Sequence, residues 1–373
     1  MMDVTGVRKI KICDQKKDTE QMDTFCLLFW VGCIHEEKGK NGTAHILEHM
    51  IVHYISERAK RYYGKPIVCV GKTEYDHIMI RFDVGNEVVG ISGEVFCLHI
   101  IDEIIEGRML SVELFNISLA EVKGEAKDKK RTIEEQKIIV KRLTDNAISN
   151  HPVGDEYDLS QIRFGDIKNF FDYVVLGEEW GVVLLGDNIK DYKEIIRSHN
   201  IVEKKIYDYG KEQNGNTEVI TNGIYRYFFP SYSKDEIEYI EKMIIMNALE
   251  NRLVSYKHLR AQVYEKTFSL KYRYIYMAFR DKFDSEVLNR IVANRLSQSE
   301  FELSQRILIQ YVYQCKNEGI RHNKSSKIDA LLRYYLYGDK IVDLDDYDQL
   351  IVDIKKVCLE RLSMKWQNML NGE

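Results

Sequence analysis

Apolar and polar residues alternate from Val7 to Cys13 (V-R-K-I-K-I-C), the pattern of a strand with one wet face. Thr24 to Ile34 (T-F-C-L-L-F-W-V-G-C-I) is almost wholly apolar and predicts a central strand covered on both sides. A polar loop with two glycines, H-E-E-K-G-K-N-G, comes next. Beyond it the apolar positions Leu47, Met50, Ile51, Tyr54 and Ile55 keep helical spacing. Asn41 or Thr43 is expected to cap that helix, and Gly64-Lys65-Pro66 to end it. Ile67–Val70 and His77–Val84 predict two more strands, followed by long helices over about Ser92–Glu106 and Leu110–Lys130. Gly177 to Gly186 reads as a strand that closes the first unit.

Between Gly210 and Glu218 (G-K-E-Q-N-G-N-T-E) the pattern breaks into polar turn residues, where a linker is expected. Strand signals return at Gly223–Phe229 and Ser269–Phe279, with a long helix from Ser233 between them, and helices dominate to the end. Each half starts with strands and runs into long helices. The reading is α+β, with one domain over 1–209 and a second over 218–373. The repeated order of signals fits an internal duplication.

Composition narrows the class of function. A chain of 373 residues that is 45% hydrophobic can bury a substantial core. Its formal net charge is -5, and its densest basic run, Lys127-Asp128-Lys129-Lys130-Arg131, is short and interrupted. Both features speak against a nucleic-acid partner. The seven cysteines are scattered, odd in number and without a C-x-x-C pair, which fits a reducing compartment. Met-Met-Asp-Val-Thr-Gly opens without an apolar signal core, and Phe25–Ile34 is about half the roughly 20 residues of a membrane span. A soluble, cytoplasmic protein with no membrane span is expected.

The candidate chemistry lies in T-A-H-I-L-E-H-M-I, Thr43 to Ile51. Four residues apart on a helix, His45 and His49 share one face and can converge on a tetrahedral zinc ion. Glu48 points beside that face, where it can take a proton from water. His53 continues the stripe but lies about 12 Å along the axis from His45, so those two cannot share one metal. A His49/His53 pair would leave Val52 in the place of the base, so His53 reads as structural. Zinc needs a further protein ligand, and Leu110–Lys130 offers Glu113, Glu121 and Glu125. The apolar run Leu114 to Ala120 is expected to turn Glu121 inward, and Glu125 lies one turn further on the same face. Spacing alone leaves both open.

The stretch G-C-I-H-E-E-K-G-K-N-G-T-A-H-I-L-E-H-M, Gly32 to Met50, resembles the signature G-S-R-x-E-x-x-x-x-x-G-x-A-H-x-L-E-H-M. That pattern belongs to the pitrilysin family of inverted-motif zinc metallopeptidases, which includes insulin-degrading enzyme and the mitochondrial processing peptidases. Ile117-Ser-Leu-Ala-Glu121-Val-Lys resembles the family's V-x-L-x-E segment, whose glutamate is the third zinc ligand. Asn150-His-Pro-Val-Gly154 resembles H-P-x-G, and Asn251-Arg-Leu253 with Leu259-Arg260 resembles S-R-L followed by L-R-E.

The resemblance implies two homologous domains, each a mostly antiparallel sheet covered by helices, enclosing a chamber. It implies zinc on His45, His49 and Glu121, with Glu125 as the alternative because the family's glutamate usually lies a few residues further from the second histidine. Glu48 would be the base, and Arg260 would contact substrate and the oxyanion. Substrates would be peptides or unfolded precursor segments that add as a strand to a sheet edge. Two departures stand out. Position 267, seven beyond Arg260, is Thr where the family has tyrosine, and Val68-Cys-Val-Gly-Lys-Thr-Glu74 lacks the asparagine of N-A-x-T-x-x-E. They lead to the expectation of a homodimer, or a heterodimer with a related chain, that completes the substrate site. The competing reading is a non-catalytic peptide-binding or scaffold subunit.

Overall fold

From Phe25 to Phe29, β2 (Met22–Phe29) buries side chains on both of its faces. Phe25, Leu27 and Phe29 enter the main core, while Cys26 and Leu28 are buried on the other face. The computed structural model describes residues 7–10, 22–85, 93–177, 180–185, 192–197, 217–230, 239–255, 262–269, 272–280, 291, 294–318 and 346–371. The chain divides into two units, 1–137 with 149–208 and 138–148 with 209–373.

In the first unit β2 pairs antiparallel with β4 (Ile78–Gly85) on one side and β5 (Trp180–Leu185) on the other. The strands β1 (Val7–Ile10), β3 (Val68–Thr73) and β6 (Tyr192–Arg197) complete a six-stranded antiparallel sheet in the order β1-β6-β5-β2-β4-β3. Among the described residues β3 is therefore an edge. Helix α1 (Thr43–Tyr63) lays Leu47, Met50, Ile51 and Ile55 into the same core as Ile78, Ile80 and Phe82. Fully burying each such side chain is worth about 1.5–3 kcal/mol. Helices α2 (Gly93–Ile105), α3 (Val112–Asp128), α4 (Lys130–Leu143), α5 (Glu156–Gln161) and α6 (Phe164–Phe171) follow, and α3 packs against α1.

The second unit has the antiparallel sheet β7-β8-β10-β9, formed by β7 (Thr217–Thr221), β8 (Ile224–Pro230), β9 (Gln262–Ser269) and β10 (Tyr272–Phe279). Helix α7 (Tyr239–Ser255) contributes Ile244, Ile245 and Ala248 to a core shared with Tyr227, Phe229, Ile275 and Met277. Helices α8 (Gln298–Asn317), α9 (Tyr347–Lys356) and α10 (Leu359–Asn371) complete it. Arg252 ties α7 to α8 and α10: its guanidinium bonds Glu300 and the carbonyls of Ile291, Asn294 and Arg295, and lies 4.9 Å over the Trp366 ring. No helix among the described residues is long and apolar enough to cross a membrane.

Several expectations change in detail. Neither Asn41 nor Thr43 caps α1. Gly42 occupies the N-cap at φ 110, and Glu36 accepts its N–H and that of Ala44, while the Thr43 N–H goes to the Lys40 carbonyl. Gly64 ends the helix as expected, left-handed at φ 67, with its N–H on the Lys60 carbonyl. Strands β6, β7 and β9 were not predicted. Residues 138–148, within the first half of the chain, pack with the second unit, where the Tyr274 hydroxyl donates to the Leu143 carbonyl at 2.8 Å. Most of the linker expected at Gly210–Glu218 lies outside the described residues.

Gly32 shows how closely β2 meets the β3–β4 connection. A Cβ there would lie 2.5 Å from the Glu74 carbonyl oxygen and from the His77 nitrogen. Those are backbone atoms, which cannot rotate away. Gly32→Ala is expected to destabilise the protein by about 1–3 kcal/mol in urea unfolding; an unchanged midpoint would show that this approach is looser than described.

Candidate metal centre

The centre starts from a buried carboxylate. Glu36 accepts the backbone N–H groups of Gly42, at 3.1 Å, and Ala44, at 2.8 Å. Burial pushes the Glu36 carboxyl up to about 8, against the pull of these donors and of the Asn41 amide. Placed against the N-terminus of α1, it also faces the positive end of the helix dipole. The register of α1 is thereby fixed, and His45 and His49 come to stand one turn apart with ring centroids 4.7 Å from each other.

What each imidazole touches decides its tautomer. His45 Nδ1 lies 3.3 Å from the Val153 carbonyl oxygen, and His49 Nδ1 lies 2.9 Å from Glu121 Oε2. Both partners only accept, so each Nδ1 carries a proton and each Nε2 is the nitrogen turned toward the centre. The two Nε2 atoms are 3.2 Å apart, and Glu125 Oε1 is 3.4 Å from His49 Nε2. Burial and the neighbouring His49 lower His45 to about 4, so its ring is neutral. Three acceptors thus converge on one point, a set that matches a divalent cation with nitrogen and oxygen ligands.

Glu48 is buried beside this point, its Oε2 3.7 Å from His45 Nε2. Burial raises its carboxyl to about 7, only partly offset by His49 and by the Thr73 hydroxyl, which donates at 2.9 Å. Strand β3 turns Cys69, Gly71 and Thr73 toward α1 and leaves Val68 and Val70 exposed. At Gly71 there is no room for a side chain, because a Cβ would overlap the Glu48 carboxylate.

The set read from the sequence, His45, His49 and Glu121, is not brought together. The structure groups His45 and His49 with Glu125, and His49 and His53 with Glu121. Helices α1 and α3 run antiparallel here: one turn along α1, from His49 to His53, matches one turn back along α3, from Glu125 to Glu121. The run Leu114 to Ala120 does not bury the Glu121 face either, since Ile117 is exposed and the Glu121 side chain is 42% accessible. Partial burial pushes Glu121 up, but hydrogen bonds from His49 and His53 outweigh it and hold the carboxyl below its ordinary value. For Glu125 the Lys129 ammonium, 2.6 Å from Oε2, does the same and leaves Oε1 toward the histidines. His53, expected to be structural, puts Nε2 2.7 Å from Glu121 Oε2. Arg260 lies outside the described residues. Tyr264 stands on β9, its ring stacked 5.1 Å from Tyr276.

No known family's sequence pattern matches the chain, and no curated protein sequence does. Solved structures do. The first half of the periplasmic protease PqqL from Escherichia coli superposes with a TM-score of 0.67 at 13% identity, over 94% of this chain and 85% of that one. Of complete PqqL this chain spans 44%. A peptidase M16 inactive domain from Pseudomonas fluorescens gives 0.62 at 13% identity, over 95% and 91% of the two chains. A protease from Helicobacter pylori gives 0.58 at 16%, over 93% and 91%. At these identities the likeness is one of architecture: the chain has the α+β fold of M16-type peptidases, the fold expected of the pitrilysin family.

Proposed function

We propose that the chain is a zinc-dependent endopeptidase that hydrolyses peptide bonds in peptides or unfolded precursor segments. The observation that supports this reading is the meeting of three acceptors, His45 Nε2, His49 Nε2 and Glu125 Oε1, beside the buried Glu48. The donor set fits a catalytic zinc site with three protein ligands and open positions. Glu125 takes the place first expected of Glu121. Glu121 then orients His49 through Nδ1, the carboxylate–imidazole arrangement that fixes a ligand's tautomer and raises its basicity.

Zinc, when bound, supplies the Lewis acidity that polarises a scissile carbonyl and makes water more acidic. The rest falls to the protein. Glu48, raised to about 7 by burial, is suited to accept a proton near neutral pH. It takes that proton from the attacking water as the C–O bond forms, and returns it to the leaving amine as the C–N bond breaks. The Thr73 hydroxyl holds one carboxylate oxygen, so the base keeps its aim. Edge strand β3, with Gly71 and Thr73 beside Glu48, offers an extended peptide the backbone groups to pair with.

Position 267 is Thr where the pitrilysin family has tyrosine, so we place the chain in a homodimer or a heterodimer with a related chain that completes the substrate site. Among the described residues no cysteine forms a disulfide, which supports the cytoplasm as its compartment. The likeness to an inactive M16 domain favours the second reading, a peptide-binding subunit without catalysis. A chain that takes up no zinc would support that one.

Glu48→Gln is expected to lower kcat about 10²–10⁴-fold with zinc content unchanged, measured on a peptide library with the partner present. Gly71→Ala should also lower kcat while zinc content and Tm hold, because it displaces only the base. In metal titrations Glu125→Ala should lose zinc, and Glu121→Gln should weaken it about 10–100-fold while one ion still binds. The reverse order would return the third ligand to Glu121.

A further inference from the structure

The imidazole of the loop Asn150–Gly154, that of His151, turns to Gln136 at 2.7 Å, yet the loop supplies the carbonyl that meets His45 Nδ1. Something must hold it there. Asn150 Nδ2 donates to the Cys33 carbonyl at 2.8 Å, and one buried side chain, Asn41, makes two hydrogen bonds to the loop and a third to Glu36. Asn41 Oδ1 accepts the His151 backbone N–H at 3.0 Å, and Asn41 Nδ2 donates to the His151 carbonyl at 2.9 Å and to Glu36 Oε2 at 2.7 Å. Asn41 is 2% exposed, so none of these bonds is open to exchange with bulk water. The loop closes on itself as well, with the Gly154 N–H on the His151 carbonyl at 2.8 Å and the Val153 N–H on His151 Nδ1 at 3.2 Å. Gly42 (φ 110) and Gly154 (φ 94) allow the backbones to touch, since a Cβ on Gly154 would come within 2.8 Å of the Gly42 Cα.

We infer that Asn41 is the positioning residue of the centre: it clamps the 150–154 loop to the start of α1, and through the Val153 carbonyl keeps the His45 proton on Nδ1. The inference deepens the zinc-peptidase reading and rests on it for its consequence, though not for its test. Without the clamp, the buried His151 N–H would lose the Asn41 oxygen, the His151 carbonyl would keep only the Gly154 N–H of its two donors, and Glu36 would lose a donor. The loop would then relieve this by moving off α1. Once His45 Nδ1 has no acceptor, the ring proton can sit on Nε2, where it occupies the lone pair a metal ion needs. The clamp touches neither metal nor substrate. It acts one carbonyl away.

Long-range ¹⁵N–¹H spectra of the imidazoles, recorded on the metal-free full chain, separate a protonated ring nitrogen from a bare one. His45 is expected to carry its proton on Nδ1 in the wild type and to shift toward Nε2 in Asn41→Ala, with zinc affinity falling about 10–100-fold. Asn41→Asp provides a second variant. It keeps the acceptor for the His151 N–H, removes both donors and sets a second carboxylate against Glu36, and the same shift is expected. Ile104→Ala, a core truncation in α2, serves as the control: it should lower Tm and leave the tautomer alone. If His45 keeps its proton on Nδ1 in both Asn41 variants, the inference is overturned, whatever happens to Tm. Failure to take up zinc in the wild type would count against the peptidase reading instead, while the spectra would still decide the role of Asn41.

Discussion

Everything at the centre depends on two hydrogen bonds made on the far sides of two rings. Val153 and Glu121 can only accept, so His45 and His49 each keep a proton on Nδ1 and turn Nε2 toward the other, 3.2 Å away. The Glu125 carboxylate, its other oxygen held by the Lys129 ammonium at 2.6 Å, adds negative potential to the same point. A cation would turn this repulsion into three coordinate bonds. Glu48 is held beside them by the Thr73 hydroxyl, which donates to its Oε2 at 2.9 Å, and burial raises its carboxyl to about 7.

Holding such an arrangement requires a rigid frame, and two elements supply it. At the start of α1, Glu36 collects the first-turn N–H groups, and Gly42 permits the left-handed turn that brings them round. Along α1, buried Leu47, Met50, Ile51 and Ile55 fix the rotation of the helix on the sheet. With that face pinned to the core, the histidines have only one direction to point, toward α3. Packing therefore places the two imidazoles, and hydrogen bonds then orient their rings.

Much of this could be read from the chain. The shift from strand to helical periodicity located β2 and α1, and H-x-x-E-H named three residues that the structure does bring together. The third carboxylate was harder. Glu121 and Glu125 share one face of α3, and only the antiparallel register of α3 against α1, a tertiary fact, sets Glu125 opposite His45 and His49. The cap of α1 escaped because its acceptor, Glu36, lies outside the usual capping position. Strand β7 did leave a trace. Asn222 (φ 51) and Gly223 (φ 72) form the left-handed pair of a two-residue hairpin, so Asn-Gly could have revealed the strand before it. The split within α4 left none, since helical periodicity says nothing about which core a turn will join.

X-ray absorption at the zinc edge of the metal-loaded full chain tests the central claim most directly. Two imidazole nitrogens and at least one oxygen are expected at about 2.0–2.2 Å, with one imidazole lost in His45→Ala and in His49→Ala. A spectrum without imidazole scattering, or one unchanged by either substitution, would contradict the account, because the two lone pairs would then face each other for some other reason.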